Sequence, residues 1–154
     1  MDTNSRTLRI EQILPPAATL EGSTHAGVPV TILVLHGALD ASNYEEMIVR
    51  ADQLYREGTR RILVDMSDLN YMSSSGLVAL HHMVLTLAGR SAPDPDSGWD
   101  AYRAIDKDRQ AGLQPYVKLL KPQPIVARSL HITGMDTFFE IHTDLGTALA
   151  SFTS

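Results

Sequence analysis

The chain has no cysteine, which excludes disulfides, thiolate catalysis and cysteine-based zinc sites. It has no Gly-x-x-x-x-Gly-Lys-Ser/Thr sequence, so a P-loop nucleotide site has no support. Basic residues are outnumbered, 13 Lys and Arg against 18 Asp and Glu, for a formal net charge of −5. The cations are scattered, whereas a general nucleic-acid binder needs them clustered. Long hydrophobic runs are missing too. The most apolar segment, about Leu77 to Ala88, is too short to span a bilayer and contains two histidines. Met1 to Ile10 carries Asp2, Arg6 and Arg9 and no apolar signal core. The expectation is a soluble, cytoplasmic protein. With 154 residues, 44% of them hydrophobic and 20% charged, the chain suits one domain spanning 1–154 around one core.

Patterning supplies the elements. Leu8 to Leu14 alternates as a strand that Pro15-Pro16 ends, and 15–29 reads as a loop. Val30 to Leu35 is the near-continuous apolar run of a strand buried on both faces. His36 to Asp40 reads as a connection. A helix follows from near Ala41 to Gly58, with Tyr44, Met47, Ile48, Ala51, Leu54 and Tyr55 on one stripe. Glu46–Arg50 and Asp52–Arg56 are helix-spaced pairs on its wet side. Arg61 to Asp65 is another buried strand, followed by a polar loop and a helix from about Ser75 to Ala88.

That second helix has no charged residue. Its stripe of Leu77, Leu80, Val84 and Leu87 is widened by Val78, Met83 and Leu85, so its extra face needs cover from the following segment or from a partner. Residues 89–114 form a compositional break, an inserted segment in which Trp99, Tyr102 and Ile105 recur at helical spacing. Tyr116 to Leu120 is a strand, and Pro124 opens a helix that stops before Gly134. Phe138 to His142 is the last strand. Thr143 or Asp144 caps a terminal helix with Leu145, Ala148, Leu149 and Phe152 inward. The order predicts an α/β fold with a mostly parallel central sheet and helices packed against it.

The most informative stretch runs from Asp65 through Ser73-Ser74-Ser75-Gly76 into Leu-Val-Ala-Leu. A serine at a helix start is a favoured cap. The free N–H groups there, with the helix dipole, also suit an added phosphate. Strand, loop, Ser-Ser-Gly and helix together resemble the switch segment of STAS domains, the fold of bacterial anti-sigma factor antagonists. Gly37-Ala-Leu-Asp40 and Gly134 through Leu149 support the likeness. It covers about residue 8 to the C-terminus, less 89–114. The resemblance implies that Ser74 is the phosphorylated residue, with Ser73 and Ser75 as neighbours or substitutes. Ser73 stands where the family usually has Asp. Asp40 matches an acidic residue near the phospho-site, though an Asx-turn or helix cap also explains it. Asp65 and Asp68 are further candidates for the missing acid.

The implied activity is non-enzymatic. Asp40, Ser73, Ser74, Ser75 and Gly76 would bind an anti-sigma factor with a kinase-like ATPase fold and so regulate transcription. Phosphorylation would turn that binding off. Direct nucleic-acid contact, membrane insertion, metals and cofactors are not implied. The alternative within the family is a subunit of a lipid-transporting ABC system or of a stress-signalling assembly, docking through the uncharged helix without a phosphate. A serine hydrolase using Ser74 or Ser75 lacks the Gly-x-Ser-x-Gly elbow, and His81 and His82 lie along the helix away from its start. Those adjacent histidines diverge by about 100°, unlike a shared ligand face. Asp94-Pro-Asp-Ser-Gly lacks the third acid and closing Glu of a calcium loop.

Overall fold

A computed structural model describes residues 7–13, 29–92 and 99–152. The strands are β1 (Leu8–Ile13), β2 (Thr31–Leu39), β3 (Ile62–Met72), β4 (Val117–Leu120) and β5 (Ile141–His142). They form one sheet in the order β1-β2-β3-β4-β5. β1 is antiparallel to β2, and every other pair is parallel. The helices are α1 (Tyr44–Arg56), α2 (Ser74–Leu87), α3 (Trp99–Arg109), α4 (Pro124–Ile132) and α5 (Leu145–Ala150). This is the α/β architecture that the element order implies.

Alternation along the strands divides the core in two. Leu33, Leu35, Val64, Met66 and Leu119 join the apolar faces of α1, α2 and α4. Ile32, Leu63 and Leu120 face the other way, against Ala148, Leu149 and Phe152. β2 is thus buried on both sides, as its apolar run predicts. The terminal helix is also tied to the sheet by Lys118, which is 3% exposed. Its Nζ donates to Ser151 O (2.9 Å), Ser151 Oγ (3.0 Å) and Glu140 Oε2 (3.0 Å), so this buried ammonium is paired.

Two segments read as connections are strand. His36 to Leu39 continues β2, and the expected polar loop after Asp65 continues β3 to Met72. Register explains the misreading. Val34 pairs with Asp65 but His36 with Asp68, and Gly37 pairs with Leu69 but Ala38 with Tyr71. Each step puts an extra residue into β3, so Met66, Leu69 and Met72 reach the core at intervals of three rather than two. Gly37 has φ +97°, and a Cβ there would lie 1.9 Å from Thr7 O. Only glycine fits that position.

The wide apolar face of α2 is covered from within the chain. α3 packs on it through Ala101 and Ile105. The inward stripe of α3 is Ala101, Ile105 and Asp108, because Asp108 bonds His81 of α2 (2.8 Å). Trp99 and Tyr102, expected to share the face of Ile105, turn outward at 76% and 41% exposure. On α1, Asp52 faces His82 (3.7 Å) and Thr86 (3.3 Å) of α2 rather than Arg56. Phe138 and Phe139 are both buried, so the last strand shortens to β5 behind a 3-10 turn at Met135–Thr137. Asp144 caps α5 by accepting from Thr147 N–H (2.8 Å). The expected 15–29 loop, except its last residue, and the Asp94–Gly98 sequence lie outside the described residues.

Candidate functional site

The parallel register ends with Leu39 beside Met72. Asp40 and Ser73 therefore leave the sheet side by side, at the carboxyl ends of neighbouring parallel strands, where open α/β sheets commonly place ligands. Ser73 N–H donates to Leu39 O (2.9 Å). Ser73 is extended (φ −90°, ψ 178°), and its Oγ accepts from Ser75 N–H (3.2 Å). It is the N-cap of α2, so the capping reading is correct for Ser73, and the helix starts one residue earlier than its pattern predicts. Ser74 is the first helical residue and is exposed, while Ser75 is half-buried. Gly76 is buried: a Cβ there would meet Met72 Cγ at 2.5 Å and the Leu39 side chain at 3.1 Å. Its small size lets α2 start tight against the sheet.

Asp40 forms the opposite wall and is 6% exposed. Its Oδ1 accepts from Ser42 N–H (2.9 Å) and from Ser42 Oγ–H (2.6 Å), an Asx-turn. Asn43 fixes the turn from below: its Oδ1 accepts from Asp40 N–H (2.9 Å) and its Nδ2 donates to Ala38 O (3.0 Å). Asp40, Ala41, Ser42, Ser73, Ser74 and Ser75 line one shallow cavity of about 450 Å³. The structure thus brings Asp40 and the three serines together, and adds Ser42, which sequence reasoning missed. The Asp-Ala-Ser-Asn order, with an acceptor two residues before a hydroxyl, was the signal for that turn.

Asp65 and Asp68 do not join this wall. Asp65 Oδ1 accepts from Ser67 N–H (2.9 Å), and Asp68 Oδ2 pairs with His36 Nδ1 (2.5 Å). From Asp68 to Ser73 is about 15 Å along an extended strand. Among the described cavity-lining residues there is no histidine, and His81 is engaged two turns away with Asp108. No three His, Asp or Glu side chains among the described residues could hold a metal ion, and none of the described helices is long and apolar enough to cross a membrane.

Histidine–carboxylate pairs lie elsewhere, among them those of His36 and His81. His36 sits between Asp68 and Glu11, whose Oε1 is 2.9 Å from Nε2. The Asp68 hydrogen bond, then that of Glu11, raises its pKa above the usual 6.5. His81 is 3% exposed, and burial lowers its pKa despite Asp108. The neutral ring donates Nε2–H to Asp108 Oδ2, and Arg90 Nη2 donates to Oδ1 (3.3 Å). Partial burial works to raise the Asp108 pKa, but the hydrogen bonds from His81 and Arg90 hold it below its usual value.

Fold and site together define a parallel α/β module with a serine-capped helix at its strand ends. An anti-sigma factor antagonist from Mycobacterium paratuberculosis has the same fold: TM-score 0.58, 15% identity, 94% of each chain covered. So does the anti-sigma factor antagonist SpoIIAA in its unphosphorylated form, with TM-score 0.56 and 17% identity, over 92% of this chain and 93% of that one. At such identities the likeness establishes the fold. The family model described as "Mlab, STAS domain" matches residues 25–93, which contain the cavity and α2. Over those residues the chain is similar to the STAS-domain family. No curated protein matches it.

Proposed function

We propose that the chain is a single STAS-like domain acting as a protein-binding switch of the anti-sigma factor antagonist kind, with Ser74 as its phosphate acceptor. The observation that carries this reading is the exposed Ser74 at the first turn of α2, beside a cavity in which Asp40 is the one charged residue among the described lining residues. Ser73 is occupied as a cap and Ser75 is half-buried, so Ser74 is the most accessible of the three hydroxyls. A phosphate there adds about −1.5 to −2 charges. The helix start tolerates that charge, whereas a partner closing over the cavity would have to desolvate it, a cost of several kcal/mol. The partner proposed from the family is an anti-sigma factor with a kinase-like ATPase fold.

The uncharged helix gives the transport or stress-assembly alternative little to use, because α2 is buried from Gly76 through His81 and again at Met83 to Leu85 and Leu87. The test is a pull-down from source-cell lysate with wild type and Ser74→Asp as paired baits, both checked by circular dichroism, and mass spectrometry as readout. A kinase-like ATPase is expected on wild type and at least tenfold depleted on Ser74→Asp, as about 1.4 kcal/mol or more would give. Incubating that ATPase with wild type and ATP should then place phosphate on Ser74. Equal capture of a partner by both baits would remove the switch and favour binding without phosphate.

A further inference from the structure

β1 is an edge strand, and no described strand lies beyond it. Its hydrogen-bond phase can be read from two contacts. Ala38 N–H donates across to Thr7 O, while Thr31 N–H points the other way, to Arg61 O next to β3. Alternation then pairs Arg9 with His36, Glu11 with Val34 and Ile13 with Ile32 as the residues that exchange bonds. The N–H and C=O groups of Leu8, Ile10 and Gln12 face outward. Such an edge templates another strand unless charge, proline or a covering element blocks it.

We propose that this edge is a self-association surface, on which a second copy of the chain docks antiparallel about a two-fold axis through Ile10. Parity permits antiparallel self-pairings centred on Arg9, Ile10 or Glu11. Centring on Arg9 sets Arg9 against its own copy, and centring on Glu11 sets Glu11 against its own. Both oppose like charges. Only the Ile10 register places each Arg9 directly opposite the other copy's Glu11, in a non-hydrogen-bonded pair where side chains approach closest. It also pairs Leu8 with Gln12, for up to about six interchain hydrogen bonds.

The neighbouring surface fits this symmetry. On the core side of β1, Ile10 and the 55% exposed Val49 share a groove of about 390 Å³ with Glu45, Glu46, Arg50 and Gln53 of α1. The axis through Ile10 brings the two grooves together, so Val49 of each copy gains apolar cover, and each groove carries both acid and base. An isologous interface needs this self-complementarity. The surface shares no residue with the serine cavity and does not rest on its phosphorylation.

Sedimentation equilibrium of the full chain over a concentration series tests the proposal, with Arg9→Glu and Glu11→Arg as variants. Arg9 and Glu11 are exposed, and circular dichroism verifies each fold. Wild type should dimerise, and each variant alone should associate at least about tenfold more weakly, because both pairs across the axis become like-charged. An equimolar mixture should restore dimers, since glutamates at 9 and 11 of one chain then meet arginines at 11 and 9 of the other. A wild type that stays monomeric at submillimolar concentration overturns the proposal. So does a dimer that both variants form as well as wild type.

Discussion

His36 and His81 each meet a carboxylate, yet the two rings sit on opposite sides of their usual titration point. His36 lies on the outer side of the sheet, with a carboxylate at each nitrogen and little desolvation. His81 has one carboxylate and a covering helix, and burial outweighs the partner. The same residue pair is thus a surface ion pair in one place and a neutral hydrogen bond between helices in the other. Whether the pair carries charge is decided by packing, not by the partner alone.

The largest break in that contrast should come from Asp108→Ala. It leaves the Nε2–H of His81 buried without an acceptor, a loss of about 2 kcal/mol in urea unfolding. The melting temperature should fall by about 6 °C for a chain of this size.

Acid should separate the two histidines next. His81 has a native pKa below its unfolded 6.5, so the unfolded chain takes up protons first and stability falls as pH drops below about 6.5. His82, also lowered by burial, adds slope of the same sign. One such group contributes at most about 1.4 kcal/mol per pH unit. His81→Leu should flatten the stability profile between about pH 6.5 and 5.

The smallest effect is expected on the open sheet. His36 has its pKa raised, so its contribution is complete below 6.5 and fades as pH rises through the native value. Asp68→Asn should cost about 0.5 kcal/mol or less, because the pair is partly exposed. The His36 titration followed by NMR should move down toward 6.5. A loss as large as that of Asp108→Ala would erase the distinction between the pairs.

Sequence pattern found every helix and the serine start of α2, because apolar stripes and caps are local. It missed the second half of β3, where Asp65, Ser67, Asp68 and Asn70 look like a loop. Their polarity belongs to the side of the sheet that α5 leaves uncovered, and the added residues hide the alternation of Met66, Leu69 and Met72. The helical spacing of Trp99, Tyr102 and Ile105 located α3 but not its facing, which is set by Asp108 meeting His81, a contact 27 residues apart in the chain. Asp40 and the serines were brought together in the sequence by the family resemblance alone. Their meeting in one cavity, and the part of Ser42 in it, depends on how β2 and β3 end together.

The serine turn is anchored at three points: Ser73 N–H on Leu39, Ser73 Oγ on Ser75, and Gly76 pressed against Met72 and Leu39. A surface held this way meets a visitor already ordered. Docking on it forfeits little chain entropy and requires no rearrangement before contact, so association can run at the pace set by diffusion and orientation. On the switch proposed above, any delay in responding to a signal would then come from the chemistry that adds or removes a phosphate, and not from the turn itself.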